Sequence, residues 1–384
     1  MPRKVSHSSR RRICFVTGTR AEFGLMESTL RAIKKHRRLQ LQIIATGMHL
    51  DAKYGRTVSR IAAEGWRVDA IVPWRGVNRA VAMGKAIAAL AWAFDRLKPD
   101  VVLIVGDRVE ALAAATTAHL CDIAVAHIHG GDRALGQMDD SLRHAISKLA
   151  HVHFPATAES ADRLTRMGEE RWRIHRVGSP GIDGILELAA PPAEIRKLFP
   201  TIKARQFALL VLHPIEADAS AEFQRASAVL KGISQTDIEH IVIIHPNNDP
   251  GSGGISRCWD MISGSGRYII RRDVSRAVFL GLLRDSAMLV GNSSSGIIEA
   301  ASFRTPVIDV GPRQLGRERC EDVRNVPYRQ ASIASAVTRI FNGGKPGRGK
   351  CANPYGGKKT GSRIAAALSR LKIDRRLLRK IISY

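Results

Sequence analysis

Short β-branched runs alternate with amphipathic stretches along most of the chain, and the runs tend to close on a glycine, a proline or an acid. Runs this short and apolar suit strands buried on both faces, and the stretches between them suit helices that cover a parallel sheet. In the first half the pattern predicts strands at 13–17, 41–46, 70–73, 101–105, 124–128 and 151–155. Helices are expected around 25–35, 54–64, 81–97, 111–120 and 139–150. A second series predicts strands at 207–212, 241–244, 268–270, 288–291 and 307–310, with helices near 221–232, 256–264, 276–285 and 296–302. Between the two series lie Gly178-Ser179-Pro180-Gly181 and Ala189-Ala190-Pro191-Pro192, stretches of the kind that mark domain junctions.

The expected fold class is therefore α/β, with two doubly wound, Rossmann-like domains facing a cleft. The expected divisions are a basic flexible tail at 1–12, an N-terminal domain at 13–185, a C-terminal domain at 186–361 and a basic helix at 362–384. A length of 384 residues agrees with two domains, and 45% hydrophobic residues supply two cores. Aromatic residues are only 5%, so small aliphatic side chains do most of the filling.

Several classes are disfavoured. The most apolar helical run, 86–94, is far shorter than the ~20 residues of a membrane span and is closed by Asp95 and Arg96. The basic start is followed by only four apolar residues, too few for an export core. Five scattered cysteines without zinc or redox spacing suggest reduced thiols in a cytoplasmic protein. The net charge of +25 raises a nucleic-acid partner, but the charges gather in peripheral stretches without interleaved aromatic residues. A solvated basic surface that attracts anionic nucleotides or membranes fits better.

The candidate chemistry sits at strand ends. Thr17-Gly18-Thr19-Arg20-Ala21-Glu22 feeds a helix start, where Arg20 either contacts phosphate or orders the loop. Asp107 follows the strand at 101–105, as a helix cap or a catalytic carboxylate. His127-Ile128-His129-Gly130-Gly131-Asp132 follows the next, and Asp139-Asp140 opens the helix that carries Arg143 and His144. Three acids in consecutive crossovers suit acid/base work that needs carboxyl groups of separated pKa. No H-E-x-x-H or similar spacing supports a metal, and none is expected. In the second half, His213 ends a strand, as a buried structural histidine or as a cation facing a diphosphate. The sharpest signal is Asn292-Ser293-Ser294-Ser295-Gly296, a serine-rich helix start suited to a diphosphate, with Glu299 one turn on to reach ribose hydroxyls. Arg313 and Arg317 are further candidate anion partners.

Taken in order from residue 13 to 328, these segments resemble the hydrolysing UDP-N-acetylglucosamine 2-epimerases of sialic-acid-type sugar synthesis. The resemblance implies a GT-B-type fold, no cofactor, and elimination of UDP followed by hydration to N-acetylmannosamine. It implies Asp107, Asp132 and Asp139 as acid/base and positioning groups and His213 as stabiliser of the departing diphosphate. It further implies Arg20, Glu22, His129, Asn248, Ser293, Ser294, Ser295, Glu299 and Arg313 as substrate or nucleotide contacts. A nucleotide-sugar is the expected partner, with a homo-oligomer, dimer or tetramer, as the assembly. The family usually has glutamate where Asp132 stands, so this carboxylate is one methylene shorter, which leaves room for a 2,4-diacetamido or GDP-linked substrate. A non-hydrolysing epimerase and a GT-B glycosyltransferase are the alternatives; a transferase would share the 291–299 segment but has no need of the three acids.

Overall fold

The computed structural model describes residues 10–51, 56–133, 138–246, 249–341 and 352–383. Contacts divide the chain into two compact units. The first takes residues up to 132, 138–183 and everything from 355 onward; the second takes 184–354 together with Arg133.

The first unit runs β1 (Arg11–Thr17), α1 (Arg20–Lys35), β2 (Leu39–Ala45), α2 (Val58–Ala63), β3 (Ala70–Ile71), α3 (Arg79–Leu97), β4 (Val101–Val105), α4 (Val109–Leu120), β5 (Ala124–Ile128), α5 (Met138–Leu149), β6 (Val152–Phe154) and α6 (Ala158–Arg166). Its six strands are all parallel, in the order β3-β2-β1-β4-β5-β6. Successive side chains of β1 face opposite ways, as the two-residue period of a strand requires. Ile13 and Phe15 join a core with Met26, Leu30 and Ile33 of α1, while Cys14 and Val16 join one with Ala86, Leu90 and Phe94 of α3.

The second unit runs α7 (Ile185–Leu188), α8 (Pro192–Leu198), β7 (Phe207–Val211), α9 (Ala219–Ser234), β8 (His240–Ile244), α10 (Ser252–Asp260), β9 (Tyr268–Arg271), α11 (Arg276–Asp285), β10 (Met288–Gly291), α12 (Ser295–Ile298), α13 (Ala300–Phe303), β11 (Val307–Val310), β12 (Val323–Val326) and α14 (Gln330–Phe341). Its parallel sheet has the order β12-β11-β10-β7-β8-β9. Counted from its own first strand, this is the order of the first sheet. Both are doubly wound, and in each the direction of winding reverses once, between β1 and β4 and between β7 and β10. Loops leaving the carboxyl ends of two such strands diverge and open a crevice for ligands.

The chain then returns to the first unit as α15 (Thr360–Arg370) and α16 (Arg375–Leu378). Ile364, Ala365, Leu368 and Leu377 enter the core that α1 covers. The expected single helix at 362–384 is two pieces. α15 ends at Arg370, and the Asp374 side chain accepts from the Leu377 N–H at 2.9 Å to start α16. The expectation of reduced thiols is corrected at Cys320, which is disulfide-bonded, whereas Cys14, Cys121 and Cys258 are free. Among the described residues no helix is long and apolar enough to cross a membrane.

Candidate active site

The β1–α1 loop is fixed by a capping box. Thr19 Oγ1 accepts from the Glu22 N–H at 3.2 Å, and Glu22 Oε2 accepts from the N–H groups of Thr19 and Gly18, both at 2.9 Å. Glu22, expected as a substrate contact, thus holds its own helix start. Burial pushes its pKa up to about 7; Arg108 opposes the rise and Glu110 adds to it. Arg20 is the first residue of α1 and half-buried. Glu110, at the start of α4, is itself buried; its side chain fills the space beside Gly18 and Gly47, and Arg108 Nε lies 3.3 Å away.

Beside this switch point, the ends of β4 and β5 carry a denser cluster. Asp107 follows Gly106 after β4, and Arg143 Nη2 donates to its Oδ2. The same guanidinium donates through Nη1 to the His129 carbonyl at 3.2 Å and lies 3.7 Å from Asp132 Oδ2. Asp132 is 2% exposed and both its oxygens are engaged, Oδ2 with His129 Nδ1 and Oδ1 with Ser160 Oγ, each at 2.8 Å. His129 Nε2 meets Ser179 Oγ at 3.0 Å. The backbone supports the arrangement at some cost, since His129 takes φ of 63°. Gly131 has φ of +81°, and a Cβ there would lie 2.2 Å from the Ser160 carbonyl oxygen; only glycine lets α6 bring Ser160 to Asp132.

The acids therefore differ. Asp132 is locked, buried with both oxygens held between His129 and Ser160 and with Arg143 close by. The Asp107 side chain keeps 20% exposure, so it is the carboxylate of the Arg143 pair that faces outward. It does not cap α4, where Arg108 occupies that position. Asp139 lies in the first turn of α5, one turn before Arg143, and is half-buried. His127 spans the two strands, with Nε2 2.7 Å from the Gly106 carbonyl and Nδ1 3.3 Å from Ser147 Oγ. Burial lowers its pKa to about 3 and keeps it neutral. Arg143, Ser160 and Ser179 were not singled out as site residues by the sequence. Arg143 had a signal, a cation four residues after Asp139; the two serines had none.

In the second unit the switch point is bridged by Asn292. Its Oδ1 accepts from the His213 N–H at 2.7 Å, and its Nδ2 donates to the His213 carbonyl at 2.8 Å and to Tyr328 Oη at 3.1 Å. The strands approach closely there: Gly291 has φ of +133°, and a Cβ would lie 1.9 Å from the Val211 carbonyl oxygen. The Asn292 carbonyl accepts from Arg313 Nη1 at 3.1 Å and Gln314 Nε2 at 2.8 Å, which fixes Arg313 beside His213. Buried Glu222 accepts through Oε1 from the N–H groups of Ile215 and Glu216 at 2.9 and 3.1 Å and so sets the turn after Pro214.

Two expectations change here. Burial, with Arg313 second, lowers the His213 pKa to about 3, so at neutral pH it is an uncharged imidazole rather than a cation. The serine-rich helix is also not continuous: α12 has four residues and α13 begins after Glu299. Ser293 Oγ accepts from the Ser295 N–H at 3.3 Å, and Ser294 and Ser295 are half-buried. Glu299 is 7% exposed and ion-paired with Arg276 at 2.7 Å, so its carboxylate already has a partner. Asn248 lies outside the described residues. Among the described residues no group of three or more His, Cys, Asp and Glu is placed to hold a metal ion.

Two parallel doubly wound units, with polar clusters at their strand ends, define the general class of α/β proteins that take ligands at the carboxyl edges of their sheets. The sequence profile of the UDP-N-acetylglucosamine 2-epimerase family matches residues 31–369, and the chain belongs to that family. It is 36% identical to the UDP-N,N'-diacetylbacillosamine 2-epimerase (hydrolyzing) of Legionella pneumophila over 97% of this chain and 100% of that one. It is 34% identical to the UDP-N-acetylglucosamine 2-epimerase of Neisseria meningitidis over 87% of this chain and 89% of that one. Its fold is that of the crystal structure of UDP-GlcNAc 2-epimerase from Neisseria meningitidis bound to UDP-GlcNAc, with a TM-score of 0.80, 19% identity, and 93% and 99% of the two chains covered.

Proposed function

We propose that the protein is a hydrolysing 2-epimerase of a UDP-linked 2-acetamido sugar, releasing UDP and a free N-acetylmannosamine-type sugar in the cytoplasm. In the first step a base takes the C2 proton as the C1–O bond breaks; UDP leaves with the bonding pair and a 2-acetamidoglucal remains. In the second, water adds its hydroxyl at C1, and C2 takes a proton on the face opposite the one its first proton left, which inverts that centre. The observation that carries this reading is the outward-facing Asp107, paired with Arg143 beside the locked His129–Asp132 pair. One carboxylate is held ready for proton transfer while its neighbours are immobile, the division of labour that acid/base chemistry needs. Neutral His213, with Arg313 at its side, suits an N–H donor and a fixed cation for a departing diphosphate.

Full-length similarity to the Legionella enzyme makes a 2,4-diacetamido sugar the first substrate to try after UDP-GlcNAc. Each is incubated with the protein in D2O and followed by NMR. Free sugar with deuterium at C2 is expected; C2 deuterium on a sugar still joined to UDP would make the enzyme non-hydrolysing. Release of UDP only on adding an acceptor would make it a transferase. Asp107→Asn and His213→Ala are expected to fold and to lose activity by several orders of magnitude; near wild-type turnover in either removes that residue from the mechanism.

A further inference from the structure

Opposite in character to the buried clusters is a surface made where the end of the chain lies along residues 166–173. Ser383 donates its N–H to the Gly168 carbonyl at 2.9 Å, and Lys380 Nζ pairs with buried Glu169 at 2.6 Å. Arg173 donates to the carbonyls of Arg376 and Leu377 at 2.8 and 2.9 Å. These contacts bring together two basic segments, 166–176 and 370–383, which hold ten Lys and Arg against three acids; Arg173 among them is buried, and Arg166 and Arg379 pair with exposed Asp162 and Asp122. Of those three acids Glu169 is turned inward to Lys380, while Glu170 stays half-buried between Arg173 and Trp172. Arg171, Arg375, Arg376 and Arg379 are exposed.

The same face carries apolar groups that nothing in the fold requires outside. Ile381 is 70% exposed, Ile382 44% and Trp172 37%. Trp172 lies under two guanidiniums, with the Cζ atoms of Arg173 and Arg376 at 4.2 and 4.9 Å from its ring centroid. A base stacking there would compete with guanidiniums already on the ring, which disfavours single-stranded nucleic acid. Cations ringing a few exposed aliphatic and indole groups instead match a lipid surface: the charges meet anionic headgroups and the apolar tips enter the interface.

We propose that this face docks the protein peripherally on an anionic phospholipid surface. The inference is independent of the enzymatic reading, because none of these residues belongs to the polar clusters at the strand ends. The full-length protein is sedimented with vesicles of phosphatidylcholine alone and of phosphatidylcholine mixed in equal parts with phosphatidylglycerol. Binding to the anionic vesicles alone, weakened by salt, is expected. Arg171→Ser combined with Arg375→Ser weakens it by about 25-fold, at about fivefold per guanidinium. Ile381→Ser with Ile382→Ser weakens it by about tenfold while turnover is unchanged. No binding to anionic vesicles, equal binding to neutral ones, or preference for duplex DNA in direct competition each overturns the proposal.

Discussion

His213 and Asn292 exchange a reciprocal pair of hydrogen bonds although they stand 79 residues apart, one after β7 and the other after β10. They lie where the winding of the second sheet reverses, so these bonds close the point at which the two loops would otherwise diverge. Asn292 is fully buried. Asn292→Ala is expected to destabilise the protein by about 2–4 kcal/mol, since it leaves buried donors and acceptors unmatched. Asn292→Asp should be no better, because a carboxylate cannot donate to the His213 carbonyl. Urea unfolding of both variants checks this; a loss below ~0.5 kcal/mol would mean that water replaces the side chain at little cost.

Arg143 touches Asp107, Asp132 and the His129 carbonyl with one guanidinium. A lysine offers a point charge and cannot span all three. Arg143→Lys should lower kcat by about 10²–10³ with KM little changed. Arg143→Ala should in addition cost about 3–5 kcal/mol of stability, because it strands buried carboxylate charge. Steady-state kinetics beside thermal melts separate the two effects.

Asp132 makes a full set of contacts with its shorter side chain, to His129, Ser160 and Arg143. Asp132→Glu should overpack a site already closed by Gly131 and cost about 1–3 kcal/mol. Asp132→Asn keeps the shape but removes the charge facing His129 and Arg143, and should lower kcat by about a hundredfold. Wild-type kinetics in both would show that Asp132 is only a packing group.

For His213 the folded pKa, about 3, lies below the ordinary 6.5. Its contribution to stability is therefore complete above 6.5 and is lost as pH falls toward 3. An imidazole resonance assigned to His213 by comparison with His213→Asn should not titrate between pH 5 and pH 8, the range flanking the ordinary value of about 6.5. A midpoint near the ordinary value would restore the cationic role.

Glu22 shifts the other way, from 4.5 up to about 7. The folded state holds this proton more tightly than the unfolded chain, so its contribution is present below 4.5 and is lost as pH rises through 7. Glu22→Gln should flatten the fall in stability across that window, measured by denaturant titrations at several pH values.

The sequence was most legible where burial is two-sided. β4, β5, β10 and β11 lie on the predicted residues, because each is a short run buried throughout, in which even the polar members, His127 of β5 and Asp309 of β11, face the interior. β12 was invisible: Val323–Val326 carries Arg324 and Asn325, and as an edge strand it buries only Val326. α1 starts at Arg20, five residues earlier than its apolar periodicity suggests, because Thr19 and Glu22 build the start from polar side chains. The candidate acids were found from their places at strand ends, but not their division into one locked and one open. That division depends on Arg143, Ser160 and Ser179, which come from α5, α6 and the segment beyond it; no local pattern announces such meetings.

The return of α15 and α16 to the first unit has a consequence for how the protein is made. Ile364, Leu368 and Leu377 complete a hydrophobic core whose earliest members are Ile13 and Phe15. A chain emerging from the ribosome can assemble its second unit while the first still lacks part of its interior. Synthesis would then proceed against the usual order, in which the leading domain folds first. The apolar flank of α1 would remain uncovered until α15 and α16 have emerged.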